Sequence, residues 1–355
     1  MKINSVITGT GSYIPELVKE NKDFLNDDFL NEDGTPFAYE NDVVIEKFKA
    51  ITGIGERRYA TAELNSSDLA YFASLKAIED AGIDKEEIDY IILAHNFGDV
   101  KKDTIQSDLL PSLASRVKYR LGIKNSSCVA YDILFGCPGW IQGVIQAEAF
   151  IKSGIAKKCL VIGTETLSRV LDPHDRDSMI YADGAGACIV EAVESESEGV
   201  LSHATQTDTT DECYYLFFGK SYNEKADPNV KYIKMFGRKI YEYALNNVPN
   251  AMKAALDKSG IAISEVKKIF IHQANEKMDE AIVKRFFRLY KQKVPKGVMP
   301  MSIHRLGNSS VATVPTLFDM VKRGKLENQE INKGDIVMFA SVGAGMNINA
   351  IVYRY

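Results

Sequence analysis

This 355-residue chain has a single tryptophan, Trp140, and only five cysteines, at positions 128, 137, 159, 188 and 213. The cysteines are odd in number and none is spaced C-x-x-C, so neither a disulfide frame nor a thiolate metal site is expected. Reduced thiols in a cytoplasmic protein are the expectation that follows. No apolar run approaches the ~20 residues needed to cross a bilayer, so no membrane association is expected. A clustered basic excess is missing too. There are 43 basic and 48 acidic side chains, a balance that argues against nucleic acid as a partner. Met1-Lys-Ile-Asn leads directly into a short apolar strand, so no signal peptide is expected. Low-complexity tracts are also absent.

What remains alternates between strand and helix. Strands are expected at 5–10, 90–94, 128–134, 158–163 and 187–193, and helices at 67–81 and 113–121. The second half repeats the theme, with helices at 241–259, 279–289 and 313–323 and strands at 268–272, 335–341 and 347–353. Such a rhythm implies a buried, largely parallel sheet covered by helices. Two βαβ-rich halves of similar size suggest duplicated modules. The break is expected in the polar stretch Glu194–Asn229, giving halves 1–195 and 196–355. Segments 20–45 and 96–110 read as long irregular loops, of the kind that form lids or binding loops.

The most informative stretch is Tyr131-Asp-Ile-Leu-Phe-Gly-Cys-Pro-Gly-Trp-Ile141. An apolar run leads into Gly136, then Cys137, then Pro138, and then a helical pattern carried by Ile141, Val144, Ile145 and Ile151. Proline suits a first helical position because its missing N–H is not needed there. Cys137 then sits at the positive end of a roughly four-turn helix, where a thiolate nucleophile is stabilised. The plainer reading is a small buried hydrophobe. Two further segments carry chemistry. In Ile269-Phe-Ile-His-Gln-Ala-Asn275 a strand delivers His272 and Asn275 to its C-terminal end, where open α/β sheets place their sites. In Arg305-Leu-Gly-Asn-Ser-Ser310 a glycine turn presents Asn308 just before a helix. Alone, each also reads as a structural histidine or a capping asparagine.

Together, the three spans resemble the ketoacyl-ACP synthase III family, condensing enzymes of the thiolase superfamily. The resemblance covers nearly the whole chain. It includes Gly9-Thr-Gly-Ser-Tyr-Ile-Pro15, Thr52-Gly-Ile-Gly-Glu-Arg57, Leu121-Gly-Ile123, Asp172-Pro-His-Asp-Arg176 and Asp183-Gly-Ala-Gly186. It implies an α/β thiolase-like fold, in which two related halves form a five-layer α/β/α/β/α core, the first carrying the cysteine and the second the histidine and asparagine. It also implies a homodimer. The implied reaction is decarboxylative Claisen condensation of a Cys137-bound acyl group with malonyl-ACP. Cys137 would hold the acyl group as a thioester. His272 and Asn308 would stabilise the enolate, with His272 also placed to polarise Cys137. The backbone N–H groups of Cys137 and Ala344, in the Gly343-Ala-Gly345 turn, would form the oxyanion hole. Acyl carrier protein and acyl thioesters are the implied partners, with no resident cofactor or metal.

By the same resemblance, Lys277, Lys284 and Arg285 fall at carrier-docking positions, Arg176 lies near the cofactor phosphate, and Asn275 joins the carrier or CoA site. Val342 is assigned to the acyl pocket, and so is Leu110, which with Pro111 falls where the family places a residue lining its partner's tunnel. Glu242 replaces a docking lysine. The family's tryptophan and arginine around the coenzyme A adenine are missing from Glu46-Lys-Phe-Lys-Ala-Ile51, so the priming acyl group is expected on a carrier protein. Several rivals share features of the chain. A degradative thiolase needs a second cysteine, where this chain has Ser341-Val-Gly-Ala-Gly345. A hydroxymethylglutaryl-CoA synthase needs a catalytic glutamate. A non-catalytic partner subunit usually lacks the cysteine, and a papain-type hydrolase needs another fold. A specialised ketosynthase making resorcinol or polyene lipids stays open as an alternative.

Overall fold

The computed structural model describes residues 3–195 and 197–355. The first half runs β1 (Ile3–Tyr13), β2 (Leu17–Glu20), α1 (Asn41–Thr52), β3 (Glu56–Tyr59), α2 (Ser66–Ala81), β4 (Tyr90–Ala94), β5 (Asp99–Val100), β6 (Ser107–Asp108), α3 (Leu113–Leu121), β7 (Val129–Ile133), α4 (Gly139–Lys152), β8 (Lys158–Thr166) and β9 (Asp183–Glu194). The second runs β10 (Gly199–Thr207), β11 (Leu216–Gly219), β12 (Tyr232–Met235), α5 (Gly237–Ser259), β13 (Val266–Ile271), α6 (Glu276–Leu289), α7 (Ile303–Leu306), α8 (Thr313–Lys322), β14 (Ile336–Gly343) and β15 (Asn347–Arg354).

Two sheets organise the molecule, in the orders β1-β9-β8-β4-β7 and β10-β15-β14-β13. Their first four strands pair in the same senses. β1–β9 and β9–β8 are antiparallel and β8–β4 is parallel; β10–β15 and β15–β14 are antiparallel and β14–β13 is parallel. The expectation of a largely parallel sheet is therefore corrected: both sheets are mixed. The physical reason is the connections. β14 and β15 are joined by the tight turn at Gly343–Met346, which can only reverse the chain, and β8 returns to β9 without a full crossover helix.

Helices α4 and α8 pack between the two sheets, α4 touching β8, β4, β14 and β15, and α8 touching β9, β1, β13 and β14. Helices α2 and α3 cover the outer face of the first sheet and α5 and α6 that of the second. The result is the five-layer thiolase-like arrangement. The central layer is aromatic: Phe339 meets Trp140 edge-on at 5.5 Å and stacks on Phe270 at 5.7 Å. Capping sets the helix boundaries. Asp68 accepts the Asn65 N–H at 2.7 Å ahead of α2, and Ser112 accepts from the Ser115 N–H ahead of α3.

The polar stretch 194–229 is not a plain linker. It contributes β10 to the second sheet, and its remainder reaches back over the first half through the β11–β12 hairpin. A buried ion pair ties that arm down: Lys234 Nζ lies 2.6 Å from Asp172 and 2.9 Å from Asp175, above the Tyr222 ring. Several motifs that carry the family resemblance are structural ties of this kind. Buried Arg57 donates to the carbonyls of Met179 and Lys19 and to the Asn21 side chain. Asp183 accepts from the N–H groups of Ala60 and Ser168 and from the Ser168 hydroxyl.

Candidate active site

Cys137 stands in a sharp strand-to-helix elbow. β7 ends at Ile133, Gly136 turns the chain at φ +64°, and its carbonyl accepts the Gly139 N–H at 3.0 Å to start α4. Pro138 lies just ahead of the first helical residue, with φ −71°. The elbow presses against the β14–β15 turn. A Cβ on Gly136 would sit 2.6 Å from Ala344 N, and a Cβ on Gly343 would collide with the Cys137 backbone nitrogen. Only glycines permit this approach. It brings the Cys137 and Ala344 backbone N–H groups to one place, and neither is used in a turn, loop or cap hydrogen bond among the described residues.

The expected thiolate is corrected by the surroundings. Burial pushes the Cys137 thiol up to about 11; the Ser310 hydroxyl, which donates to Sγ at 3.2 Å, pulls the other way, and the nearby Glu165 adds to the rise. Removing water from the sulfur outweighs the hydrogen bonds that favour its charged form. The thiol of Cys137 is therefore neutral at pH 7.

His272 follows directly after β13, its backbone N–H donating to the Ala340 carbonyl at 2.9 Å. Burial drives the imidazole down to about 4, so it is neutral at pH 7. Its Nδ1 is buried and has no hydrogen-bond partner among the described residues. Among the described residues the side chain hydrogen-bonded to Cys137 Sγ is Ser310, in the place of the expected polarising contact from His272. Asn308 is held by its backbone, which accepts from Ala182 N–H and donates to the Ile180 carbonyl. Its Oδ1 accepts from the Ser310 N–H at 2.8 Å, which leaves Nδ2 as the end turned to other partners. Gly307, at φ +64°, makes the turn that sets this residue in place.

Cys137, His272 and Asn308, drawn from both halves, line one cavity of about 540 Å³. Val342, Arg176 and Asn275 line it as well. Asn275 also caps α6, accepting the Met278 N–H at 3.1 Å. The carrier-docking positions divide. Lys277 and Lys284 are exposed but do not line this cavity; Lys284 borders a separate groove with Arg288 and Lys293. Arg285 is tied to α5 through the Leu245 carbonyl and Asn246. The cations that do reach the mouth are Lys47, Arg176 and Arg238. Lys47 lies 3.5 Å over the Tyr39 ring and Arg176 4.9 Å over Phe37, so the altered segment on α1 still walls the opening.

Leu110 lines neither cavity beside the cysteine and is 89% exposed. It follows the small β5–β6 hairpin, which Arg116 pins by ion pairs to Asp99 and Asp108. Its expected place lining a partner's tunnel concerns a second copy of the chain, and within one chain it stands outside both cavities. A second chamber of about 200 Å³ opens on Cys137 instead, and Phe97, Phe217, Phe218 and Leu167 are among its walls. Phe97 and Phe218 meet at 4.8 Å. Sequence reasoning missed this arm, because the polar residues around β11 carry no periodic signal. It also missed Ser310, Asn96 and Glu165. Glu165 could have been suspected, as a charged residue at the C-terminal end of an otherwise apolar strand.

Residues 131–209 match the family model described as 3-oxoacyl-[acyl-carrier-protein (ACP)] synthase III, and residues 256–355 match its C-terminal counterpart. A beta-ketoacyl-[acyl-carrier-protein] synthase III of Erythrobacter litoralis is 32% identical, over 99% of this chain and 100% of its own. The crystal structure of 3-oxoacyl-[acyl-carrier-protein] synthase III from Aquifex aeolicus superposes with a TM-score of 0.80 at 30% identity, covering 99% of this chain and 100% of that one. A priming beta-ketosynthase of the R1128 polyketide pathway superposes at 0.81 with 25% identity, covering 99% and 96%. The chain thus belongs to the 3-oxoacyl-[acyl-carrier-protein] synthase III family of thiolase-fold condensing enzymes, which are acyltransferases.

Proposed function

We propose that the chain joins an acyl group held on Cys137 to malonyl-ACP, with loss of CO2, to give 3-oxoacyl-ACP. This is the ketoacyl-ACP synthase III reaction of fatty-acid biosynthesis. The observation that carries the proposal is the opening of a thiol, a neutral imidazole and an unengaged carboxamide nitrogen into one cavity. In loading, the Cys137 Sγ–C bond forms as the donor's C–S bond breaks, and the thiol proton leaves with the donor thiol. In condensation, CO2 departs and its bonding pair becomes the enolate of the carrier thioester. His272 and Asn308 donate to that enolate oxygen, His272 through the one N–H that its neutral imidazole retains. The enolate carbon then attacks the acyl carbonyl, whose oxygen is held by the Cys137 and Ala344 N–H groups. Sγ leaves and takes up a proton. One such donor contributes roughly 3 kcal/mol to the transition state.

The primer is delivered on a carrier protein. The mouth offers Tyr39, Lys47 and Arg176, but lacks a tryptophan to stack on adenine. The acyl chain occupies the aromatic chamber by Phe97 and Phe218. The working unit is a homodimer. β7 is the free edge of its sheet, and the apolar side chains of Val129, Leu134 and Leu110 are exposed in that part of the chain. No resident cofactor is needed for these steps. Intact mass spectrometry after incubation with paired acyl-CoA and acyl-ACP panels tests the reading. Acyl mass on Cys137 from acyl-ACP is expected, and its absence from every donor overturns the proposal. Preferential loading from acetyl-CoA overturns the carrier-borne primer alone.

A further inference from the structure

Behind Cys137 lies a hydrogen-bonded file of side chains that the steps above do not use. Ser310 is buried and has φ +50°, a left-handed conformation uncommon for serine. The Asn308 side chain holds it there by accepting its N–H. Its hydroxyl has two neighbours. Asn96 Nδ2 donates to Ser310 Oγ at 3.1 Å, and Cys137 Sγ lies 3.2 Å away. Since an amide nitrogen can only donate, it occupies a lone pair of Oγ and leaves the hydroxyl hydrogen for the sulfur. The Asn96 amide is oriented in turn by Glu165, whose Oε1 accepts from the same Nδ2. Glu165 is 1% exposed, at the end of β8, and no cation is paired with it among the described residues. Burial pushes a carboxyl so placed well above the ordinary carboxylate range, and in either protonation state it keeps an oxygen that accepts.

We infer that Ser310 is a further catalytic residue, donating to the Cys137 sulfur as it gains negative charge, and that Asn96 and Glu165 are positioning residues that aim its hydroxyl. The inference rests on the reading of Cys137 as the acyl acceptor. Negative charge builds on Sγ twice, when the thiol is deprotonated for loading and when it is expelled in condensation. Burial disfavours charge on the sulfur, so a side-chain donor aimed at it offsets part of that cost where the charge develops. Asn308 then serves both sides of the site, one end of its amide fixing Ser310 and the other facing the cavity. No proton passes along the file. The seryl hydrogen stays on oxygen, and Asn96 and Glu165 keep theirs.

The test is the rate of Cys137 alkylation by iodoacetamide between pH 6 and about 10, which needs no acyl substrate. Ser310→Ala and Asn96→Ala should move the rising limb to higher pH and slow alkylation at a fixed pH by about tenfold or more, the usual worth of a hydrogen bond to a charged group. Glu165→Ala should behave like Asn96→Ala, whereas Glu165→Gln, which keeps the accepting carbonyl, should recover most of the rate. Asn96 is only half-buried, so its variant decides the matter if Ser310→Ala does not fold. Profiles of Ser310→Ala and Asn96→Ala that overlay the parent's overturn the inference, and equal rates for Glu165→Gln and Glu165→Ala overturn the role of Glu165. Failure of the parent enzyme itself to take an acyl group from any donor instead counts against the reading of Cys137.

Discussion

The protonation state of the resting nucleophile can be read by chemical modification. Burial holds the Cys137 thiol at about 11, and His272, held at about 4, offers no positive charge to offset it. At pH 7 the gap of four units leaves on the order of one sulfur in 10⁴ ionised. Alkylation by iodoacetamide, monitored by mass on the Cys137 peptide, should therefore climb about tenfold for each pH unit from 7 to 10, with no plateau. It should show no inflection between pH 5 and 8, because the imidazole does not titrate there. A thiolate–imidazolium pair behaves differently, giving a rate that is already high at pH 6 and flat above it. A plateau below pH 8 in the free enzyme would refute the reasoning that desolvation governs the Cys137 thiol.

Gly343→Ala should place a methyl group against the Cys137 backbone nitrogen, lowering acyl loading at least a hundredfold in a single-turnover assay and destabilising the fold by about 1–3 kcal/mol in urea. Lys234→Met leaves Asp172 and Asp175 buried without their cation and should cost about 3–5 kcal/mol; a variant as stable as the parent contradicts the tie. Lys234 also holds the Asp172 carboxyl below its ordinary value of 3.8, so this stabilisation is present above that pH and lost as pH falls through the lowered value, which acid-unfolding curves of the parent and variant will separate. Phe97→Ala should open the chamber beside Cys137 and shift loading toward longer or branched acyl groups in a competition assay; an unchanged preference would place the acyl chain elsewhere.

The legible parts of this fold were those with strong periodicity. The helix at 113–121 and the strand at 90–94 coincide with α3 and β4 to the residue, because apolar spacing and an adjoining Ser or Gly set their limits. Strand direction was not legible, since a mixed and a parallel sheet demand the same apolar strands. The elbow at Gly136–Pro138 and the turns before Asn308 and after β14 were readable from glycine and proline chemistry. What the thiol experiences was not: besides burial, it feels the Ser310 hydrogen bond, which favours its ionised form, and the Glu165 carboxyl, which opposes it, both from residues remote in the chain. The docking positions were assigned by resemblance, and the Arg285 tie to α5 emerges only in three dimensions.

In the proposed mechanism Cys137, His272 and Asn308 divide the work between loading and condensation, and one measurement separates the two stages. His272→Ala and Asn308→Ala are incubated with acyl-ACP and then malonyl-ACP, and acyl-enzyme and released CO2 are counted together. Acyl mass should accumulate on Cys137 in both variants while CO2 release falls by a factor of a hundred or more relative to the parent. Undiminished CO2 release from either variant, or acyl mass retained in a Cys137→Ala enzyme, would contradict the assignment.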